Sequence, residues 1–240
     1  MKPQNDIAIE LKNITKEYII HHEKPTLVEK FYKGREEKFI ALNNINLIIN
    51  KGQKVGIVGL NGSGKTTLLK IIAGITTPTS GSVTTNGRLV SLIDLEAGFH
   101  PDLTGEQNIY LNGMLLGMKK HEIQQKLHRI IVYSGLGKFF DACLFTYSEG
   151  MKLRLGFSIA IHANPHIFVL DEGLGVGDDN FRQKAKHTLL NNKHTRTIII
   201  CTHNLELIEQ QCTRIIILDQ GSIIRDGGLE VLKSYGRYIT

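Results

Sequence analysis

Apolar residues alternate with polar ones at Ile7, Ile9 and Leu11 and again at Ile45, Leu47 and Ile49. That period of two is the mark of a strand with one face on a core. Between them, His21 to Lys38 is rich in His, Glu and Lys and reads as a long exposed loop joining paired strands. The pattern then changes: Val55 to Val58 is a short apolar run, glycines begin at Gly59, and a helix-forming stretch runs from Lys65 to Ile72. Strand, glycine loop and helix are predicted in succession. Val83 and Leu89 to Ile93 predict short strands, after which the spacing is helical from about Thr104 through Ala163, broken at Gly117 and around Gly135 to Gly137. Ile167 to Leu170, Ile198 to Cys201, Ile215 to Leu218 and Ser222 to Ile224 return to β, the last two joined as a hairpin by Asp219-Gln220-Gly221. Continuous apolar strands separated by helices predict an α/β fold with a mainly parallel, buried sheet and a helical subdomain inserted over approximately residues 98–163. One domain over 1–240 is expected.

Composition narrows the class. The chain has 240 residues, 41% hydrophobic and 22% charged, an ordinary folded balance. Its purely apolar runs, such as Ile198 to Cys201, are four residues long, far short of the ~18 needed to cross a bilayer. No export signal is evident behind Met-Lys-Pro-Gln-Asn-Asp, so a cytosolic protein is expected. Three cysteines, Cys143, Cys201 and Cys212, argue against a disulfide framework or a zinc cluster. The net charge of +6 is spread along the chain, except that Lys119, Lys120, Lys126, Arg129 and Lys138 face a single Glu122. That run reads as a solvated helix face, with a membrane-facing or partner-facing patch as the alternative.

The strongest chemical signal is Gly59-Leu60-Asn61-Gly62-Ser63-Gly64-Lys65-Thr66, followed by Thr67. It matches the G-x-x-x-x-G-K-[ST] phosphate loop and lies between a predicted strand and a predicted helix. Glycines let successive amides point at phosphate oxygens, and the helix adds its positive end. Lys65 is expected on the β and γ phosphates, and the Thr66 hydroxyl on Mg²⁺. Downstream, the strand Ile167-Phe168-Val169-Leu170 ends in Asp171-Glu172, carboxylates at the strand tip where open parallel sheets bind ligands. Asp171 fits the magnesium side, and Glu172 fits the group that orients and deprotonates the attacking water.

Tyr147-Ser148-Glu149-Gly150-Met151, ahead of the helical stretch Lys152 to Ile161, resembles the signature motif of ABC transporter ATP-binding subunits, usually Leu-Ser-Gly-Gly-Gln. The chain resembles that family over essentially its whole length. The resemblance implies a phosphate-loop NTPase core with an antiparallel β subdomain and an inserted helical subdomain. It implies a homodimer with ATP at the interface, in which Ser148 and Gly150 meet the γ-phosphate held by the other copy. His203 resembles the switch histidine that contacts the γ-phosphate, Asp178 the loop that crosses the dimer interface, and Tyr18 the aromatic that stacks on adenine. Glu149 stands where the family has Gly or Ser; its side chain either faces the phosphates or points to solvent as a helix N-terminal acid.

No glutamine precedes Gly98-Phe99-His100-Pro101-Asp102-Leu103-Thr104, where the family usually carries one, so the resemblance implies that Asp94 or Glu96 substitutes, with Glu96 set beside Thr66 and Asp171 as a Mg²⁺ ligand. The tract Glu96 to Asn108, the Tyr-Ser-x-Gly-Met signature and Val176-Gly177-Asp178 resemble the subfamily exporting capsule, O-antigen or teichoic acid. That resemblance implies an ATP- and Mg²⁺-dependent ATPase on the cytoplasmic face of the cell membrane, bound to a polytopic channel subunit, with no nucleic acid partner. Two other readings stay open: a soluble ABC ATPase acting on nucleic acid or ribosomes, and a weakly hydrolysing regulatory subunit.

Overall fold

A computed structural model describes residues 6–20, 37–171, 178–190 and 196–232. In chain order, β1 (Ile7–Ile20), β2 (Glu37–Asn50) and β3 (Lys54–Val58) lead into α1 (Lys65–Ile72), and β4 (Ser80–Thr85) and β5 (Leu89–Ser91) follow. A helical stretch holds α2 (Gly105–Leu115), α3 (Lys120–Ser134) and α4 (Glu149–His162), with 3₁₀ turns at Gly137–Asp141 and Leu144–Thr146. Then come β6 (Ile167–Asp171), α5 (Asp179–Leu190), β7 (Thr197–Cys201), α6 (Leu205–Gln211), β8 (Arg214–Asp219) and β9 (Ser222–Gly227).

Two sheets result. One is antiparallel with order β2-β1-β4, and the other has order β5-β6-β7-β3-β8-β9, parallel except for β9. Strand alternation sends successive side chains to opposite faces, and β7 shows the effect. Ile198 and Ile200 join a core against the helical region with Phe157 and Phe168. Ile199 and Cys201 join a second core with Ile9, Leu11, Ile45 and Leu68, between the two sheets and α1. Burial on both faces explains why these strands are continuous apolar runs.

Four elements differ from the sequence reading. β1 continues to Ile20, and Glu37 and Lys38 belong to β2, because the ladder runs on through Ile19 opposite Lys38 and Ile20 opposite Glu37. Residues 21–36 of the polar insert lie outside the described residues. β4 covers Ser80–Thr85 although only Val83 marks it as a strand; its ladder to β1, from Ile9↔Thr85 to Thr15↔Ser80, supplies the order. α5, a polar helix, lines up Phe181, Ala185 and Leu189 at a four-residue spacing, all buried.

The entry to α2 is fixed by one fully buried amide. Thr104 caps the helix by accepting from the Gln107 amide, and the Gln107 side chain accepts from the Thr104 amide in return, a capping box. Asn108, 0% exposed, accepts from the His100 amide at 2.8 Å and donates to the carbonyls of His100, Leu103 and Thr104 at 2.9–3.0 Å. It pins the loop between β5 and α2. Asn108→Leu keeps the volume and strands those backbone groups, so chemical denaturation should show a loss of roughly 2–4 kcal/mol. A loss within about 0.5 kcal/mol, the usual surface value, would show that water replaces the amide.

Candidate functional site

The phosphate loop curls between two pressing strands. Gly64, at the N-terminus of α1, has φ 101, and a Cβ there would lie 2.5 Å from the Ala41 carbonyl oxygen of β2. At Gly59 a Cβ would lie 2.2 Å from the Leu218 carbonyl oxygen of β8. At Gly64 only glycine meets both the left-handed geometry and the close approach. Lys65, 7% exposed, donates to the carbonyls of Gly59 and Leu60, both at 2.8 Å. Its ammonium therefore sits inside the curl, at the positive end of α1.

Above the loop is a cavity of about 530 Å³, lined by Asn61, Gly62, Gly64, Lys65, Thr66, Thr67 and Asp171, with Phe39, Ala41 and Ile93 completing the wall. Sheet order explains the meeting. β3 lies beside β7, which lies beside β6, and Ile57 and Asp171 both pair with Cys201. The loop, Asp171 and His203, two residues beyond Cys201, therefore share the carboxyl edge of one sheet, the usual ligand edge of such folds. Glu172, and Gly175 to Gly177, lie outside the described residues.

The other predicted residues stand elsewhere. Ser148 caps α4, its hydroxyl accepting from the Met151 amide at 3.2 Å, and a Cβ on Gly150 would meet nothing within 4 Å. Neither lines the cavity. Glu149 is exposed in the first turn of α4. Tyr147, just before the cap, is buried and donates to the Phe139 carbonyl; burial first, and Asp141 second, push its phenol up to about 12. Asp178 caps α5, accepting from the Phe181 amide at 2.9 Å, while its other oxygen lies 3.5 Å from Arg154 of α4. Ile93 reaches the cavity, Asp94 lines a neighbouring groove, and Glu96 lines neither.

Tyr18 lies one strand farther out. It pairs directly with Phe39 across the β1–β2 ladder, and Lys16 Nζ stands 5.0 Å from its ring centroid. Directly paired residues share a face of the sheet, yet β2 is the strand against the loop, so Phe39 reaches the cavity wall. The sequence reading missed Phe39. Its signal was available only through strand register, since no motif surrounds it.

Comparison with known proteins bears on the family and the fold. The ABC transporter family pattern matches residues 42–175. The chain is 42% identical to the O-antigen export system ATP-binding protein RfbB of Myxococcus xanthus, over 94% of this chain and 54% of that one. It is 40% identical to the Klebsiella pneumoniae protein of the same name, over 93% and 94%. With the teichoic acids export ATP-binding protein TagH of Enterococcus faecalis, identity is 39% over 98% and 54%. The chain thus spans about half the length of the Myxococcus and Enterococcus relatives. Among solved structures, a dimeric ATP-binding cassette bound to ADP and Pi after hydrolysis superposes with TM-score 0.71 at 26% identity, covering 92% of this chain and 98% of that one.

Proposed function

The chain belongs to the ABC transporter family, and from that premise we propose that it is the ATP-hydrolysing subunit of an exporter of lipid-linked cell-surface polysaccharide. The observation that carries the chemistry is the meeting of Lys65, Thr66 and Asp171 on one cavity. Support for the cargo comes from the names of relatives near 40% identity. In this reading a homodimer peripheral to the cytoplasmic face of the membrane binds a polytopic channel subunit; no helix among the described residues is long and apolar enough to cross a membrane.

Amides of Asn61 to Lys65 and the Lys65 ammonium hold the β and γ phosphates. A hydroxyl and a carboxylate on one wall, Thr66 and Asp171, are hard oxygen donors that fit Mg²⁺, which commonly takes one or two protein oxygens together with phosphates and water. Bound there, the ion supplies charge neutralisation for the β and γ oxygens. Glu172 takes the proton of the attacking water, and His203 orients the γ-phosphate. Ser148 and Gly150, standing off the cavity, serve the ATP held by a second copy, with Asp178 near the shared surface. Phe39 presents its ring to the base, with Tyr18 behind it.

Three measurements bear on this. Loss of the gene should deplete surface polysaccharide and leave polymer on its lipid inside the cell; an unaltered surface would overturn the cargo assignment. Phe39→Ala should weaken ATP binding roughly 5- to 100-fold, as expected for a lost base–aromatic stack, and leave tripolyphosphate binding unchanged; an equal effect on both ligands removes the ring from the base site. Glu149→Ser should leave the Michaelis constant for ATP unchanged and slightly lower thermal stability, because an exposed acid in the first helical turn contributes a few tenths of a kcal/mol. A lower constant at low ionic strength would instead place that carboxylate against the phosphates.

A further inference from the structure

We propose that Arg88 is a positioning residue for hydrolysis, fastening the far end of α4 to the start of β6 and so fixing where Ser148 stands relative to Asp171. The inference rests on the reading of the site above.

Arg88 immediately precedes β5, and its main chain is tied to the beginning of β6. Its amide donates to His166 Nδ1 at 3.0 Å, and its carbonyl accepts from the amides of His166 and Ile167 at 2.8 and 3.1 Å. Its guanidinium points the other way, into the helical region. One nitrogen donates to the carbonyl of Ala163, the C-cap of α4. The other donates to the Gly117 carbonyl between α2 and α3 at 2.6 Å and lies 3.9 Å from the Glu122 carboxylate in the first turn of α3. The end of α4, the link between α2 and α3 and the first turn of α3 thus meet on one planar fork, a geometry that an ammonium cannot reproduce. The cation also faces the negative end of α4, where Lys126 of α3 adds a bond to the His162 carbonyl at 2.9 Å.

The two elements joined at Arg88 carry proposed site residues at their opposite ends. β6 runs from Ile167 to Asp171. α4 has 14 residues with Ser148 as its N-cap, a rod of about 21 Å. Midway along it, Gly156 packs so closely that a Cβ would lie 2.8 Å from the Leu95 carbonyl oxygen. A rod held at one end and pressed at its middle shifts at its N-terminal end when the held end is released, and misplacement by about 1 Å can cost on the order of 10²-fold in rate.

The test uses the purified 240-residue chain, with Arg88→Lys beside Arg88→Gln in case the latter fails to fold. ATP affinity, read with a fluorescent ATP analogue, is expected to stay within about 2-fold of wild type, because the phosphate loop is untouched. The turnover number should fall by on the order of 10- to 100-fold in every folded variant, Lys included. ATP-induced dimerisation in a Glu172→Gln background should weaken in parallel. Lower melting temperature with turnover retained would reduce Arg88 to a stabilising contact and overturn the proposal. A wild-type chain that neither binds nor hydrolyses ATP would overturn the site reading, and this inference with it.

Discussion

Glu172→Gln is expected to leave ATP bound and to slow its hydrolysis by on the order of 10²- to 10⁴-fold, the usual consequence of losing a general base. The neighbouring Asp171 carboxylate stands on the cavity wall with Lys65 and Thr66. An amide keeps the shape of the carboxylate and cannot accept the proton of the attacking water. ATP then persists, and with it the closed dimer, because the closed form is favoured for as long as its ligand survives. Phosphate release and size-exclusion chromatography with ATP report the two effects on one sample. Near-normal turnover would show that another group takes the proton.

Lys65→Ala should weaken ATP binding by roughly 10- to 100-fold. A hydrogen bond to a charged group contributes about 1.5–3 kcal/mol, and each 1.4 kcal/mol is about tenfold in affinity. The side chain is buried and bonded to the carbonyls of Gly59 and Leu60, so its removal also strips a donor from two loop oxygens. A lower melting temperature should accompany the weaker binding. Calorimetry separates the two effects, since added ATP raises the melting temperature only where it still binds. Unchanged affinity would contradict the phosphate-loop assignment.

How much the sequence disclosed depended on whether each signal was local. β3, β6, β7 and β8 are apolar runs buried on both faces, and the phosphate loop is defined by residues next to one another, so these were legible. Asp171 was legible because it ends such a run. β4 was legible only at Val83, since main-chain pairing orders a strand without an apolar alternation. α5 escaped because three buried residues in a polar helix of 12 are a faint period. Phe39 and Arg88 owe their positions to partners distant in sequence, Tyr18 through strand register and Ala163 and Gly117 through hydrogen bonds. No window along the chain contains either relation.

Ser148 and Gly150 lie on the same chain as the cavity and take no part in its wall, which has a consequence for kinetics. If each copy brings one half of two different reaction centres, a lone copy has no complete centre, and productive encounters scale with the square of concentration. Activity per molecule should therefore fall on dilution and recover when copies are fused in tandem or gathered on a membrane. Co-expression of a phosphate-loop variant with a signature variant should restore one working centre out of two in the mixed pair.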